Sequence, residues 1–444
     1  MPNKKDYEKG NYYRFSAIVE SLYCLFISLI STNYKLNSFR FFLYKKPIEA
    51  TLFYNKIGIL ILSIKIFFSF IIPIKKNKYF KISSEENLKN DLVDNDSENK
   101  DAFLWPIPKT CKFFLPNEFD SEYFDKLVLS YNKSYNNDDL KLPRGEWWEK
   151  HSKEFQDEIL INKKKINVDL MKNFFKIQTS AGLIKSSTPL TTKKTKLSKY
   201  FKIIELIANY HGLSKKVKPE ILRNVSESKM FNVDSIIYRN QLLSDRVHRH
   251  AYYLSQIKKN TDLQYNEKLF FLDLGSGIGC FSRLFMHFFN NSKGILIDLP
   301  ETNVFASYYM SVNFPEKKIK FLSDLPEDFV IDSNFFKDCD LAIVPPFAIK
   351  KISNNFIDLV INTASLGEMS IEYGEFYLEE INRITKKYFY SSNRKNSIDS
   401  IWSGYGHYKY KFNNDWHTIL YESSPTWHLE YLGKIINNAT EADN

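Results

Sequence analysis

The stretch KLFFLDLGSGIGCFSRLFMHFF, residues 268–289, constrains this chain more than any other. A short apolar run with strand character ends in three glycines at alternate positions and passes directly into apolar, helix-like sequence. Glycines there let the backbone turn sharply from a strand into a helix N-terminus, an arrangement that suits a nucleotide-like ligand. Further strand-like runs follow, GILIDLP, KIKFLSDLP, FIDLVINTA and KKYFYSSN, separated by helical sequence. Strands alternating with helices predict an α/β fold with a Rossmann-like, doubly wound, mostly parallel sheet. The dinucleotide fingerprint requires G-x-G-x-x-G, whereas here the third glycine, Gly279, comes one residue early and Cys280 stands in its place. A nicotinamide dinucleotide is therefore disfavoured.

Asp273 precedes the loop by two positions, and Asp298 ends the second strand-like run 23 residues after Gly275. At that spacing a carboxylate can accept both hydroxyls of a ribose. An acid followed by G-x-G-x-G resembles the class I S-adenosylmethionine-dependent methyltransferases. The resemblance implies a seven-stranded sheet and a cofactor site containing Asp273, Gly275, Ser276, Gly277 and Gly279. It adds Asp298 for the ribose, Leu299 beside the adenine, Asp324 for the adenine amino group, and Asn362. The segments IDLPETNVFASYYM, IVPPF and DLVINTASLGEMSIEYGEFYLEEI are similar, more narrowly, to sugar O-methyltransferases encoded with surface-polysaccharide genes. That similarity covers residues 268–393 well and the helical region before them less so. It implies a sugar or glycan acceptor and S-adenosylmethionine as cofactor.

A sugar hydroxyl is a poor nucleophile, so a general base would help the reaction. The candidates are Glu368 in the segment after the fourth strand-like run and His407 in SGYGHYKY, with Tyr373 and His417 weaker. Ordinary roles compete with each, since Glu368 could cap the next helix and His407 could be a plain loop residue. Arg246, Arg249 and Arg394 could hold a phosphate on an activated sugar. No spacing of histidines and carboxylates suggests a metal. The four cysteines are far apart and form no C-x-x-C pair, so a reducing compartment is expected.

The formal charge of +10 matters through its location. Residues 1–83 hold 14 Lys or Arg against four acids, so the remainder is formally neutral and lacks the basic track a nucleic acid would need. Within residues 1–83, apolar runs at 15–30 and 57–74 are flanked by lysines but carry Glu20 and Lys65. A charge at the middle of a span costs about 3 kcal/mol, which the Ile, Leu and Phe residues around it could offset. Lys35, Arg40, Lys45, Lys46 and Lys56 between the runs nonetheless argue against two crossings and favour a surface-lying segment at the inner face of a membrane. A helical subdomain packed on the main body is the alternative. A cleavable signal peptide is not expected, because no small-residue site follows the first run. The acidic residues 84–101 read as a linker, 102–262 as a helical cap region and 263–444 as the methyltransferase domain. Two competing readings remain. Val344-Pro345-Pro346-Phe347 resembles the base-gripping motif of nucleic-acid amino-methyltransferases, but Val344 cannot accept the hydrogen bond that motif requires. A membrane-associated scaffold with a degenerate fold would be expected to have a broken loop.

Overall fold

The computed structural model describes residues 119, 121–136, 146–162, 164–171, 210, 213, 216–228, 236–238, 241–394, 410–424 and 428–436. The expectations for residues 1–83, the linker at 84–101 and His407 fall outside these residues. Among the described residues, no helix is long and apolar enough to cross a membrane.

Helices α1 (Ser121–Asn136) and α2 (Glu146–Glu158) come first, followed by short hairpin strands β1 (Leu160–Ile161) and β2 (Lys165–Ile166). Helix α1 buries Phe124, Leu127, Val128, Tyr131 and Ser134, the three-and-four spacing of one helix face. Next are α3 (Pro219–Asn224), a second hairpin of β3 (Ile236–Tyr238) and β4 (Gln241–Leu243), and α4 (Asp245–Asn260). The rest alternates as β5 (Phe270–Leu274), α5 (Cys280–Phe288), β6 (Lys293–Ile297), α6 (Pro300–Asn313), β7 (Ile319–Phe321), β8 (Leu341–Val344) and β9 (Ile357–Thr363). Helix α7 (Ile371–Ile384) and strands β10 (Thr385–Arg394), β11 (Trp416–Ser423) and β12 (His428–Ile435) complete it.

Backbone contacts divide the chain into two units, one holding the described part of Thr188–Tyr252 and the other Leu115–Ser187 with Tyr253–Asn444. The region 102–262, expected as one helical block, is thus shared between them, and it carries the two small hairpins that helical periodicity did not suggest.

The second unit is built on an eight-stranded sheet of order β11-β12-β10-β9-β5-β6-β8-β7. Strands β10, β9, β5, β6, β8 and β7 pair in parallel, while β12 and β11 add an antiparallel edge. This is the Rossmann-like α/β fold that the sequence implies, with one strand more than the expected seven. The extra strand is β8, whose four residues Leu-Ala-Ile-Val are all buried. It lies between β6 and β7, so the third strand-like run of the sequence is the outer edge of the sheet.

Strands β5, β6 and β9 are almost wholly buried because helices cover both faces. On one face Leu272, Leu274, Ile295, Ile297, Val360 and Phe389 cluster with Tyr377, Leu378 and Ile381 of α7. On the other, Phe285 of α5 lies 4.8 Å from Phe271, ring to ring, and Tyr253 of α4 lies 6.0 Å from Phe281 and 6.1 Å from Tyr390. Burial of each such side chain contributes roughly 1.5–3 kcal/mol. Ser370 starts α7 by accepting the Tyr373 N–H at 3.2 Å, and Pro300 starts α6 at a position where no N–H is needed.

Candidate active site

The loop between β5 and α5 holds all three of its glycines at positive φ: Gly275 at 70°, Gly277 at 56° and Gly279 at 82°. The reason is sharpest at Gly275, where an added Cβ would sit 2.0 Å from Ser365 Oγ. The loop is tied to the end of β6 by the Gly275 N–H, which donates to Ile297 O at 2.8 Å. Ser276 is half-buried, its carbonyl accepting from the Gly279 N–H at 3.0 Å.

Two carboxylates face this loop. Asp298 Oδ2 accepts the Gly277 N–H and Oδ1 accepts the Leu299 N–H, each at 2.7 Å. The Thr302 hydroxyl is bonded to it as well, so of the four acceptor sites of the carboxylate one is left for a ligand hydroxyl. Burial raises its pKa to about 6 against the pull of those backbone donors and of the Thr302 hydroxyl, with the Glu301 charge adding to the rise. Asp273, 1% exposed, receives the Ser282 hydroxyl on Oδ2 at 2.5 Å, while its buried Oδ1 accepts nothing from the described residues. Burial and then the Asp298 charge push its pKa up to about 7, opposed by the Ser282 hydrogen bond. A buried carboxyl oxygen without a donor, beside a glycine loop, is the arrangement that an incoming ammonium group would complete. S-adenosylmethionine carries such a group together with a ribose, and Asp273, Gly275, Gly277, Asp298 and Leu299 fit it.

Two of the expected cofactor residues do not join them. Asn362 is wholly buried, and its Nδ2 donates to Leu274 O at 2.8 Å and Ser365 Oγ at 2.6 Å. Its Oδ1 accepts the Leu366 N–H at 3.2 Å and Asn393 Nδ2 at 2.7 Å. All four of its hydrogen-bonding positions are used, so it braces β5 against the turn after β9 and has nothing left for a ligand. That turn contains Ala364 at φ 59°, a left-handed conformation rare for a residue with a Cβ. Asp324 Oδ2 caps the Phe321 N–H at 2.9 Å at the end of β7. Since β8 separates β7 from β6, Asp324 stands one strand beyond the position in which it would reach an adenine over β6.

The base candidates separate as well. Glu368 ends a short 3-10 turn after β9 and is half-buried; Ser370, not Glu368, caps α7. Tyr373 is 6% exposed and belongs to the apolar cluster under α7, which explains its type without chemistry. His417 is exposed near the start of β11, in register with Lys434 and through it with Tyr388, so it lies at the amino end of the sheet, away from the loop. In the first unit, Arg246 is buried against Glu227, its Nε and Nη2 at 3.1 and 3.0 Å from Oε2, and so is not available to a phosphate. Arg249 is half-buried on α4, and the side chain of Arg394 is outside the described residues.

A buried acid that the sequence reading passed over, Glu430 on β12, has no exposure at all. It accepts the Tyr390 hydroxyl on Oε2 and the Ser392 hydroxyl on Oε1 at 2.7 Å. The available signal was a lone acid at an alternate, inward position of the apolar strand HLEYLG.

No family model and no curated protein matches this chain. Among solved structures, the chain is similar to a SAM-dependent methyltransferase from Aquifex aeolicus, at 15% identity over 41% of this chain and 89% of that one, with a TM-score of 0.28. A protein from Pyrococcus horikoshii OT3 is 12% identical over 44% of this chain and 92% of that one, with a TM-score of 0.32. Phosphoethanolamine N-methyltransferase 2 of Haemonchus contortus, in complex with S-adenosyl-L-methionine, is 15% identical over 32% of this chain and 27% of that one, with a TM-score of 0.22.

Proposed function

We propose that this chain is an S-adenosylmethionine-dependent O-methyltransferase whose acceptor is a hydroxyl of a sugar or glycan. One observation supports the cofactor above the others: the Oδ1 of Asp273, without a donor among the described residues, and the remaining acceptor site of Asp298 flank the same glycine loop. An ammonium group at one and a ribose hydroxyl at the other would satisfy both.

The bound cofactor supplies a methyl group already activated by a sulfonium. The chain's own work is then to hold that group, to exclude water and to bring the acceptor oxygen in line at near-attack distance. The three glycines give the loop its left-handed turns, and the Asn362 brace fixes the loop relative to the carboxyl end of β9. Ligands of open α/β sheets bind at that end, which makes residues 363–369, Glu368 among them, the acceptor side. Sugar specificity rests on the resemblance carried by residues 268–393. Attachment at the inner face of a membrane rests on the composition of residues 1–83.

Calorimetry on the full chain tests the cofactor. S-adenosylmethionine binds, NAD does not, and Asp298→Ala loses the binding while remaining folded by circular dichroism. A folded wild-type chain that binds neither would refute the proposal. Labelled-methyl transfer to a panel of free and nucleotide-linked hexoses then tests the acceptor class, and methylation of amines in their place would replace it.

A further inference from the structure

The register of the sheet places a row of polar side chains beside the proposed methyl-transfer site, and none of them has a part in holding the cofactor. Thr363 on β9 pairs with Ser392 on β10, Ser392 pairs with Glu430 on β12, and Glu430 pairs with Glu422 on β11. The row lies two residues beyond the Asp273–Ile361 pair, and side chains two apart on a strand share a face. The row therefore projects from the same face as Asp273, at the level of Gly275. Thr363 at its inner end is half-buried, whereas Ser392 and Glu430 are wholly buried.

Glu430 is an unusual residue to keep there. Its partners are all neutral hydroxyls, those of Tyr390, Ser392 and Ser424, and among the described residues no cation pairs with it. The nearest charge along the row is another acid, Glu422, which accepts from Gln256 of α4 at 3.1 Å, and α4 covers Tyr390 with Tyr253. A buried carboxylate without a counter-charge costs stability that a glutamine of the same shape would not. Burial raises its pKa to about 7, where a proton acceptor is most effective near neutral pH.

We propose that Thr363 faces the acceptor with Ser392 and Glu430 behind it, and that Glu430 takes up, through the Thr363 and Ser392 hydroxyls, the proton that the acceptor loses. The inference rests on the methyl-transfer reading above. In the step, the acceptor oxygen forms the O–CH3 bond as the S–CH3 bond breaks and its electron pair returns to sulfur. The acceptor proton passes to Thr363 Oγ1 as Thr363 gives its own to Ser392 Oγ and Ser392 gives its own to Glu430 Oε1, and Glu430 later releases it to water. Thr363, the half-buried end of the row, would be the group touching the acceptor, and Ser392 and Glu430 positioning residues behind it.

S-adenosylmethionine and S-adenosylhomocysteine provide a test without a known acceptor, because they differ by the methyl sulfonium and its positive charge. The protonated carboxyl stretch of Glu430 is followed by infrared titration of the full chain saturated with each, and assigned by its loss in Glu430→Gln. If that variant does not fold, Ser392→Ala assigns the band by raising its midpoint. The expected result is a midpoint lower by about half a pH unit or more with the sulfonium bound. Identical midpoints with both ligands would overturn the proposal. Absence of calorimetric binding of either ligand would instead remove the methyl-transfer reading on which it stands.

Discussion

Two polar clusters stand a few residues apart at the carboxyl end of the same sheet, and they differ in what they leave undone. Around Asn362, every donor and acceptor of the side chain meets a protein group: Leu274 O, Ser365, Leu366 N–H and Asn393. Around Asp273 and Asp298, one oxygen has no donor among the described residues and one acceptor site of the other carboxylate is open. A completed network fixes a shape, whereas an incomplete one beside a glycine loop leaves acceptors for a ligand to complete. The difference separates brace from binding site, and residue type alone does not, since Asn362 and Asp298 both end strands beside the loop.

The strongest challenge to this contrast is Gly275→Ala, which adds a methyl at φ 70° and 2.0 Å from Ser365 Oγ. It should lower stability by about 3 kcal/mol and abolish cofactor binding together, measured by urea unfolding and calorimetry. Asp298→Ala should leave the fold within about 1 kcal/mol of wild type yet weaken S-adenosylmethionine about 100-fold, the loss of a hydrogen bond to a charged group. Asn362→Ala should do the reverse. Stability should fall by about 2 kcal/mol as Leu274 O, the Leu366 N–H and Asn393 lose a partner, with affinity reduced less than in Asp298→Ala. Equal losses of affinity in the two variants would erase the distinction.

A pH series sharpens it further. Asp273 and Glu430 have pKa values of about 7 and Asp298 of about 6, against ordinary values of 3.8 for aspartate and 4.5 for glutamate. Between those limits the folded chain holds protons that the unfolded chain has released, so these three groups make the ligand-free protein less stable as pH rises from about 4 to 7. A bound cation favours ionised Asp273, so S-adenosylmethionine should bind more tightly as pH rises through about 7, and Asp273→Asn should flatten that dependence. The smallest effect is expected at Asp324→Ala, which removes the cap on Phe321. It should cost about 1 kcal/mol of stability and leave cofactor affinity unchanged.

Much of the site was legible because its determinants are local. Asp273, the three glycines and Asp298 sit within 26 residues, and glycine spacing reports backbone geometry directly. What was not legible depends on pairing between distant segments. Asn362 is saturated by groups as far as 88 residues away, and nothing in its own neighbourhood shows this. Asp324 follows a strand-like run in the expected order, but LAIV, four residues long and closed by two prolines, becomes a strand of its own and takes the place next to β6. Glu430 was hidden in an antiparallel edge, where its row is defined only by register with β10.

The intrusion of β8 also changes what a ligand would meet beside β6. Where the expected fold offers a carboxylate, this chain has Pro345 and Pro346, two rings without a backbone N–H to donate. A cofactor seated here would be held by charge and a hydroxyl at one end and mainly by shape at the other, where the Oδ1 of Asn303, beside Pro345, is a buried acceptor left open among the described residues. Analogues altered on the edge of the base should then bind almost as tightly as the natural compound, a tolerance that would let tagged cofactors serve as probes of this site.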